Sequence, residues 1–142
     1  MVELEGSRAT SEELAAQEPN DQLWQERLGD ADQNLADAKA DSGDVVAALE
    51  LWRKSLGIAE QLAAHDPKST TAQANLVNLL ERVAVTLDEQ GEAEQAAALF
   101  PRLVTVAEAL AAQAPQDPVF AEQAKQFRKQ AAACCKKRRA KR

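Results

Sequence analysis

The chain writes one phrase three times at one spacing. It reads TSEELAAQEP from Thr10 to Pro19, GIAEQLAAHDP from Gly57 to Pro67 and TVAEALAAQAP from Thr105 to Pro115. Leu14, Leu62 and Leu110 fall 48 residues apart, as do Pro19, Pro67 and Pro115. The register continues outside the phrase without a gap. Gly43 matches Gly91, Asp44 matches Glu92, Ala48 matches Ala96, Leu51 matches Leu99 and Trp52 matches Phe100. Ala59 and Glu60 match Ala107 and Glu108, and Gln25 and Leu28 match Gln73 and Leu76. Chance is a poor explanation for such a register, even in an Ala-rich chain. A repeat that fills most of 142 residues points to one small unit packed against copies of itself.

Each unit holds two helical stretches. The first follows Pro and covers Asn20–Asp41 and Ser69–Gln90. Trp24, Leu28 and Leu35, then Leu76, Leu79, Leu80, Val83 and Leu87, recur at helical spacing. Asp21 and Ser69 or Thr70 supply N-cap oxygens for the first free amides. Each stretch ends at Gly43 or Gly91, where a left-handed turn costs least. Asp44 or Glu92 opens the second helix, an acidic group suited to the positive end of the helix dipole. That helix reaches about Ala64 or Gln113 and stops before Pro67 or Pro115. The predicted organisation is a disordered segment at 1–10, then a helical domain at 11–135. Within it lie a stub at Ser11–Gln17, full units at about 20–67 and 68–115, and a lone helix from about Asp117 to Cys135. Residues 136–142 form a basic tail. The stub reads as the end of a longer array, and flanking repeats or a dimer would thicken a core short of large side chains.

Composition supports helix. Hydrophobic residues make up 45% of the chain, much of it Ala, against 4% aromatic residues, five Gly and five Pro. No stretch approaches the roughly 18 apolar residues of a membrane span. The N-terminal MVELEGSRAT has no apolar signal core. The two cysteines, Cys134 and Cys135, are adjacent and make no disulfide framework, so the sequence predicts a reducing, cytoplasmic setting.

No catalytic constellation is present. The single His65 ends a helix, where a partly positive imidazole suits the dipole. One His and a Cys pair do not make a tetrahedral metal site, and no Gly-rich phosphate loop appears. The acidic pairs Asp30/Asp32 and Asp88/Glu89 read as solvated faces. The sequence thus predicts no enzyme activity and no cofactor.

The residues around the glycines carry a family resemblance. Gly43, Ala48, Trp52, Ser55 and Pro67, with Leu35–Ala36 in the preceding helix, follow the packing pattern of a tetratricopeptide repeat. The second copy has Gly91, Ala96, Phe100 and Pro115, with Val83–Ala84 before them. The chain resembles a long-helix variant of that family over about residues 11–135. Its unit is 48 residues against the usual number of about 34. Three departures stand out. Leu103 replaces a small residue, Lys39 and Leu87 replace the first-helix Tyr, and Pro101 falls inside a helix, where it should kink it or displace a turn. The resemblance implies an all-α fold, an α-solenoid of antiparallel helix pairs in a right-handed superhelix, with about six helices including the stub. Ala48 and Ala96 allow close helix approach. Trp52 and Phe100 fill the gaps, and Trp24 and Phe120 should do the same.

The resemblance also implies where a partner binds. First helices of the family line a concave face that holds peptides or helices. Carried over by the glycine register, that face comprises Asp30, Gln33, Asp37 and Asp41, then Asn78, Glu81, Val85, Asp88 and Glu89, then Gln126 and Lys129. Helical spacing sets these away from the Leu/Ala stripe, so they should be exposed. The face is mostly acidic and suits a basic peptide or helix. The alternative is charge that only keeps an Ala-rich surface in solution.

Charge is split along the chain. Residues 1–124 hold all 23 acidic side chains and 8 basic ones, and residues 125–142 hold the other 9 basic ones. Lys136, Lys137, Arg138, Arg139, Lys141 and Arg142 form an anion-binding candidate for nucleic acid or anionic membrane. Acylation beside Cys134 and Cys135, or nuclear import, are further readings, against simple stabilisation of a helix end. The basic tail could also occupy the acidic face of its own chain or of a neighbour. The sequence predicts a non-catalytic scaffold or adaptor that binds a partner protein. Docking of the basic tail on nucleic acid or membrane is the second reading.

Overall fold

The structure, a computed structural model, describes residues 22–140, with residues 22, 24 and 135–140 described by backbone alone. The expected disorder at 1–10, the stub at Ser11–Gln17, the Asp21 cap and the packing of the Trp24 side chain lie outside the described residues, as do Lys141 and Arg142. Among the described residues the protein is all-α. Its five helices are α1 (Gln22–Asp41), α2 (Val45–His65), α3 (Thr70–Glu89), α4 (Ala93–Gln113) and α5 (Pro118–Ala140). The chain divides into two compact units, one ending at His65 and the other beginning at Asp66. In the first, α1 pairs with α2; in the second, α4 pairs with both α3 and α5.

The turn inside each hairpin is built twice in the same way. Gly43 has φ +90° and Gly91 has φ +80°. Asp44 N–H donates to Lys39 O at 2.8 Å and Gly43 N–H to Ala40 O at 3.0 Å. Forty-eight residues on, Glu92 N–H donates to Leu87 O at 2.9 Å and Gly91 N–H to Asp88 O at 3.1 Å. Both are Schellman closures, in which a left-handed residue lets two amides satisfy the last free carbonyls of the helix. The helix starts differ between copies. Asp44 Oδ1 accepts from Ala47 N–H at 3.2 Å, whereas Glu92 makes no side-chain cap and accepts instead from Gln95 Nε2. Ser69 is the N-cap of α3, its Oγ accepting from Ala72 N–H at 3.2 Å. Asp117 Oδ1 accepts from Val119 N–H at 3.0 Å, next to Pro118 at the first position of α5, where a missing N–H costs nothing.

Two expectations need correction. Of the two outcomes expected at Pro101, a displaced turn does not occur: α4 is helical from Ala93 to Gln113, and the ring is exposed. Thr105 Oγ1 donates to the Pro101 carbonyl at 2.9 Å. The last helix does not stop at Cys135 but continues to Ala140, so Lys136–Arg139 have helical backbone rather than forming a separate tail.

The core of the first unit comprises Leu35 and Ala36 on α1 and Ala48, Trp52, Leu56 and Ala59 on α2. In the second unit Leu79, Leu80, Leu87, Leu103 and Leu110 are almost wholly buried, with Phe100 and Phe127 beside them in the core. Trp52 and Phe100 fill the interior as their small neighbours Ala48 and Ala96 predict; Phe120 is only half-buried. Ser55 is buried and donates to Gly29 O at 2.9 Å, a bond between α1 and α2 that the sequence reading did not anticipate. A methyl group at Gly29 would lie 3.4 Å from Ile58 Cγ2, an ordinary contact distance, so the crossing of α1 and α2 is close here but leaves room for Ala.

Candidate interaction surfaces

The offset of 48 lets the three first-position helices be compared residue by residue. On α3, Leu76, Val77, Leu79, Leu80, Val83, Ala84 and Leu87 are all buried. The same positions on α1 are Leu28, Gly29, Ala31, Asp32, Leu35, Ala36 and Lys39; on α5 they are Ala124, Lys125, Phe127, Arg128, Ala131, Ala132 and Cys135. On α5 the stripe through Ala124 and Phe127 stays buried, but Lys125, Arg128 and Ala132 are exposed. One apolar stripe has therefore been exchanged for a polar one. Arg128 Nη1 lies 3.3 Å from Glu108 Oε1 and ties α5 to α4 through an exposed ion pair of small energetic weight.

Asp32 is 1% exposed, so the expectation of a solvated Asp30/Asp32 pair fails for one member. Asp32 occupies the register position of Leu80, a core position, whereas Asp30 is exposed. The alignment held this signal, but charge alone obscured it.

The predicted face residues fall into two groups. On α1, Asp30 and Asp41 are exposed, while Gln33 and Asp37 are half-buried. Asp37 Oδ1 accepts from Trp52 Nε1 at 3.1 Å, so this carboxylate orients the core tryptophan of its own hairpin. Glu26, one turn before Asp30, is exposed and extends the acidic row, though the sequence reading left it out. On α3, Asn78 and Glu89 are exposed, and Glu81, Val85 and Asp88 are half-buried. Burial raises the Glu81 carboxyl above its ordinary value near 4.5, and the Arg82 guanidinium offsets part of the rise. On α5, Gln126 and Lys129 are exposed. They line a shallow open groove of about 530 Å³ with Pro118, Val119, Glu122, Gln123 and Lys125. Val119 is 55% exposed there, one of few large apolar side chains facing solvent among the described residues.

Lys136, Lys137, Arg138 and Arg139 occupy the last turns of α5, where positive charge suits the negative end of the dipole. Cys134 is buried. His65 is exposed at the last position of α2. Among the described residues no group of three or more His, Cys, Asp or Glu could hold a metal ion, and no helix is long and apolar enough to cross a membrane. No protein-family model matches the chain, and a comparison with curated proteins finds no match either.

Proposed function

We propose that the protein is a non-catalytic interaction scaffold of tetratricopeptide type, in which successive hairpins stack as an α-solenoid. Its first helices hold a basic peptide or helix. The observation that carries this reading is the duplicated hairpin, closed twice by the same left-handed glycine turn, whose first helix presents Glu26, Asp30 and Asp41 to solvent. A helix pair of this kind buries one stripe and leaves the other face free for a ligand. Carboxylates spaced along that face attract a cationic partner and speed its arrival.

The test is fluorescence anisotropy with a labelled, Lys/Arg-rich helical peptide. The expected result is binding that weakens at least ~10-fold between about 0.05 and 0.5 M salt, as screening shortens the reach of exposed charge. Asp30→Lys combined with Asp41→Lys should abolish it, because both residues are exposed and neither makes a core contact. Asp37 is left intact, since it serves Trp52. Binding unchanged by that pair of substitutions would refute the proposed face.

A further inference from the structure

We infer that the chain binds a second copy of itself, with α5 of one copy lying along α1 of the other. The inference rests on the scaffold reading above and supplies the basic helix which that reading requires.

The two helices carry matched rows of opposite charge. On α5, Lys125 and Lys129 are exposed and one turn apart, and the helix continues through Ala132 and Lys136 to Ala140. On α1, Glu26 and Asp30 are exposed and one turn apart, followed by Gln33 and Asp37. Both rows step by four, three and four residues. At the first two positions exposed side chains of opposite sign correspond, Lys125 to Glu26 and Lys129 to Asp30; beyond them Ala132 and Gln33 are uncharged, and Asp37 is held by Trp52. Each row extends ~16 Å along its helix at about 1.5 Å per residue. Two helices laid side by side in parallel can therefore set Lys125 against Glu26 and Lys129 against Asp30.

On α5, Lys125 and Lys129 have exposed side chains, beside Arg128, which pairs with Glu108 of α4. The α5 positions Lys125 and Arg128 correspond to the buried Val77 and Leu80 of α3, so this stripe is polar on α5 where it is apolar on α3. The occupant must be polar and acidic. Residues 1–124 hold 23 acidic side chains against 8 basic ones, an excess that repels nucleic acid and anionic lipid. A second copy brings both signs, so each contact sets the basic stretch of one molecule against the acidic stretch of the other. The apolar face of α5, with Ala124, Phe127 and Cys134, is already buried and offers nothing for insertion into a bilayer.

Sedimentation velocity on the full chain tests the inference at about 0.05 and 0.5 M salt. The expected result is a concentration-dependent sedimentation coefficient at low salt, with association weakened at least ~10-fold at high salt, where the Debye length falls to a few ångströms. K125E/K129E and E26K/D30K, all four at exposed positions, should each sediment as monomers with unchanged helical content by circular dichroism. Mixing the two variants should restore association, because each now carries the sign the other lacks. A coefficient independent of concentration and salt overturns the inference. Association that survives in both variants, or mixing that restores nothing, overturns it too. The labelled-peptide assay on the same samples separates the two levels. A parent chain that stays monomeric yet binds the basic peptide removes the self-association and leaves the scaffold reading standing, a parent chain that does neither removes both, and K125E/K129E, whose acidic face is intact, should still bind the peptide.

Discussion

Gly43→Ala and Gly57→Ala add the same methyl group at two exposed positions of one unit and should move its stability in opposite directions. A Cβ at either position meets no atom within 4 Å, so crowding plays no part and the backbone decides. Gly43 has φ +90°, where an L-side chain crowds the following carbonyl at a cost of about 1–2 kcal/mol. Restricting the unfolded chain returns about 0.4–1 kcal/mol of that. The net expectation is a loss of about 1 kcal/mol. Gly57 lies inside α2, where Ala is favoured by about 0.8–1 kcal/mol. The two variants should therefore differ by about 2 kcal/mol. In a unit of this size that corresponds to melting temperatures roughly 8–16 °C apart. Far-UV circular dichroism during urea and thermal unfolding measures the difference. Gly91→Ala, at φ +80°, should reproduce the loss in the second unit. If Gly43→Ala and Gly57→Ala shift stability in the same direction, the left-handed hairpin closure does not form in solution and the duplicated turn fails as an explanation of the fold.

Three further outcomes follow from single contacts. Asp37→Ala leaves the Trp52 indole N–H without this acceptor and should cost about 1–2 kcal/mol by urea unfolding, whereas Asp37→Asn, which still offers an oxygen, should cost markedly less. Ser69→Ala removes the oxygen that receives Ala72 N–H and should lower the stability of the second unit by about 1 kcal/mol, read from its thermal midpoint. Glu81 has a raised folded pKa, so the stability it contributes is fully present below about 4.5 and is lost as pH rises through the raised value. Glu81→Gln should flatten that part of the stability–pH curve and be at least as stable as the parent at pH 7, measured by urea titrations at a series of pH values.

The hairpins were legible because the residues that make them act locally. Gly43 and Gly91 announce left-handed turns, Ser69 announces a cap, and Pro67 and Pro115 stop the helices before them, each through backbone chemistry that a few neighbours decide. Ala48 with Trp52, and Ala96 with Phe100, were readable as core from the repeat register. The side chains that straddle two helices were not. Asp37 reads as a surface acid until Trp52 is known to reach it, and Ser55 gives no hint of Gly29, because each bond depends on how α1 crosses α2. Asp32 misled for another reason: its charge argued for solvent while its register argued for the core. The end of α5 misled because a run of Lys and Arg reads as a tail, although these residues form helix well and sit favourably at its negative end.

Ala36, Ala48, Ala84 and Ala96 show no measurable exposure, and the last two repeat the first two at the offset of 48. The separation of each helix pair is thus governed by its smallest members. A Leu core position that loses atoms leaves a void its neighbours can partly collapse into. An Ala at a contact between two rods has no such tolerance toward growth, since each added carbon must push one rod away from the other along its whole length. These four sites should accept Gly or Ser far more readily than Val, the reverse of the size preference at an ordinary buried position.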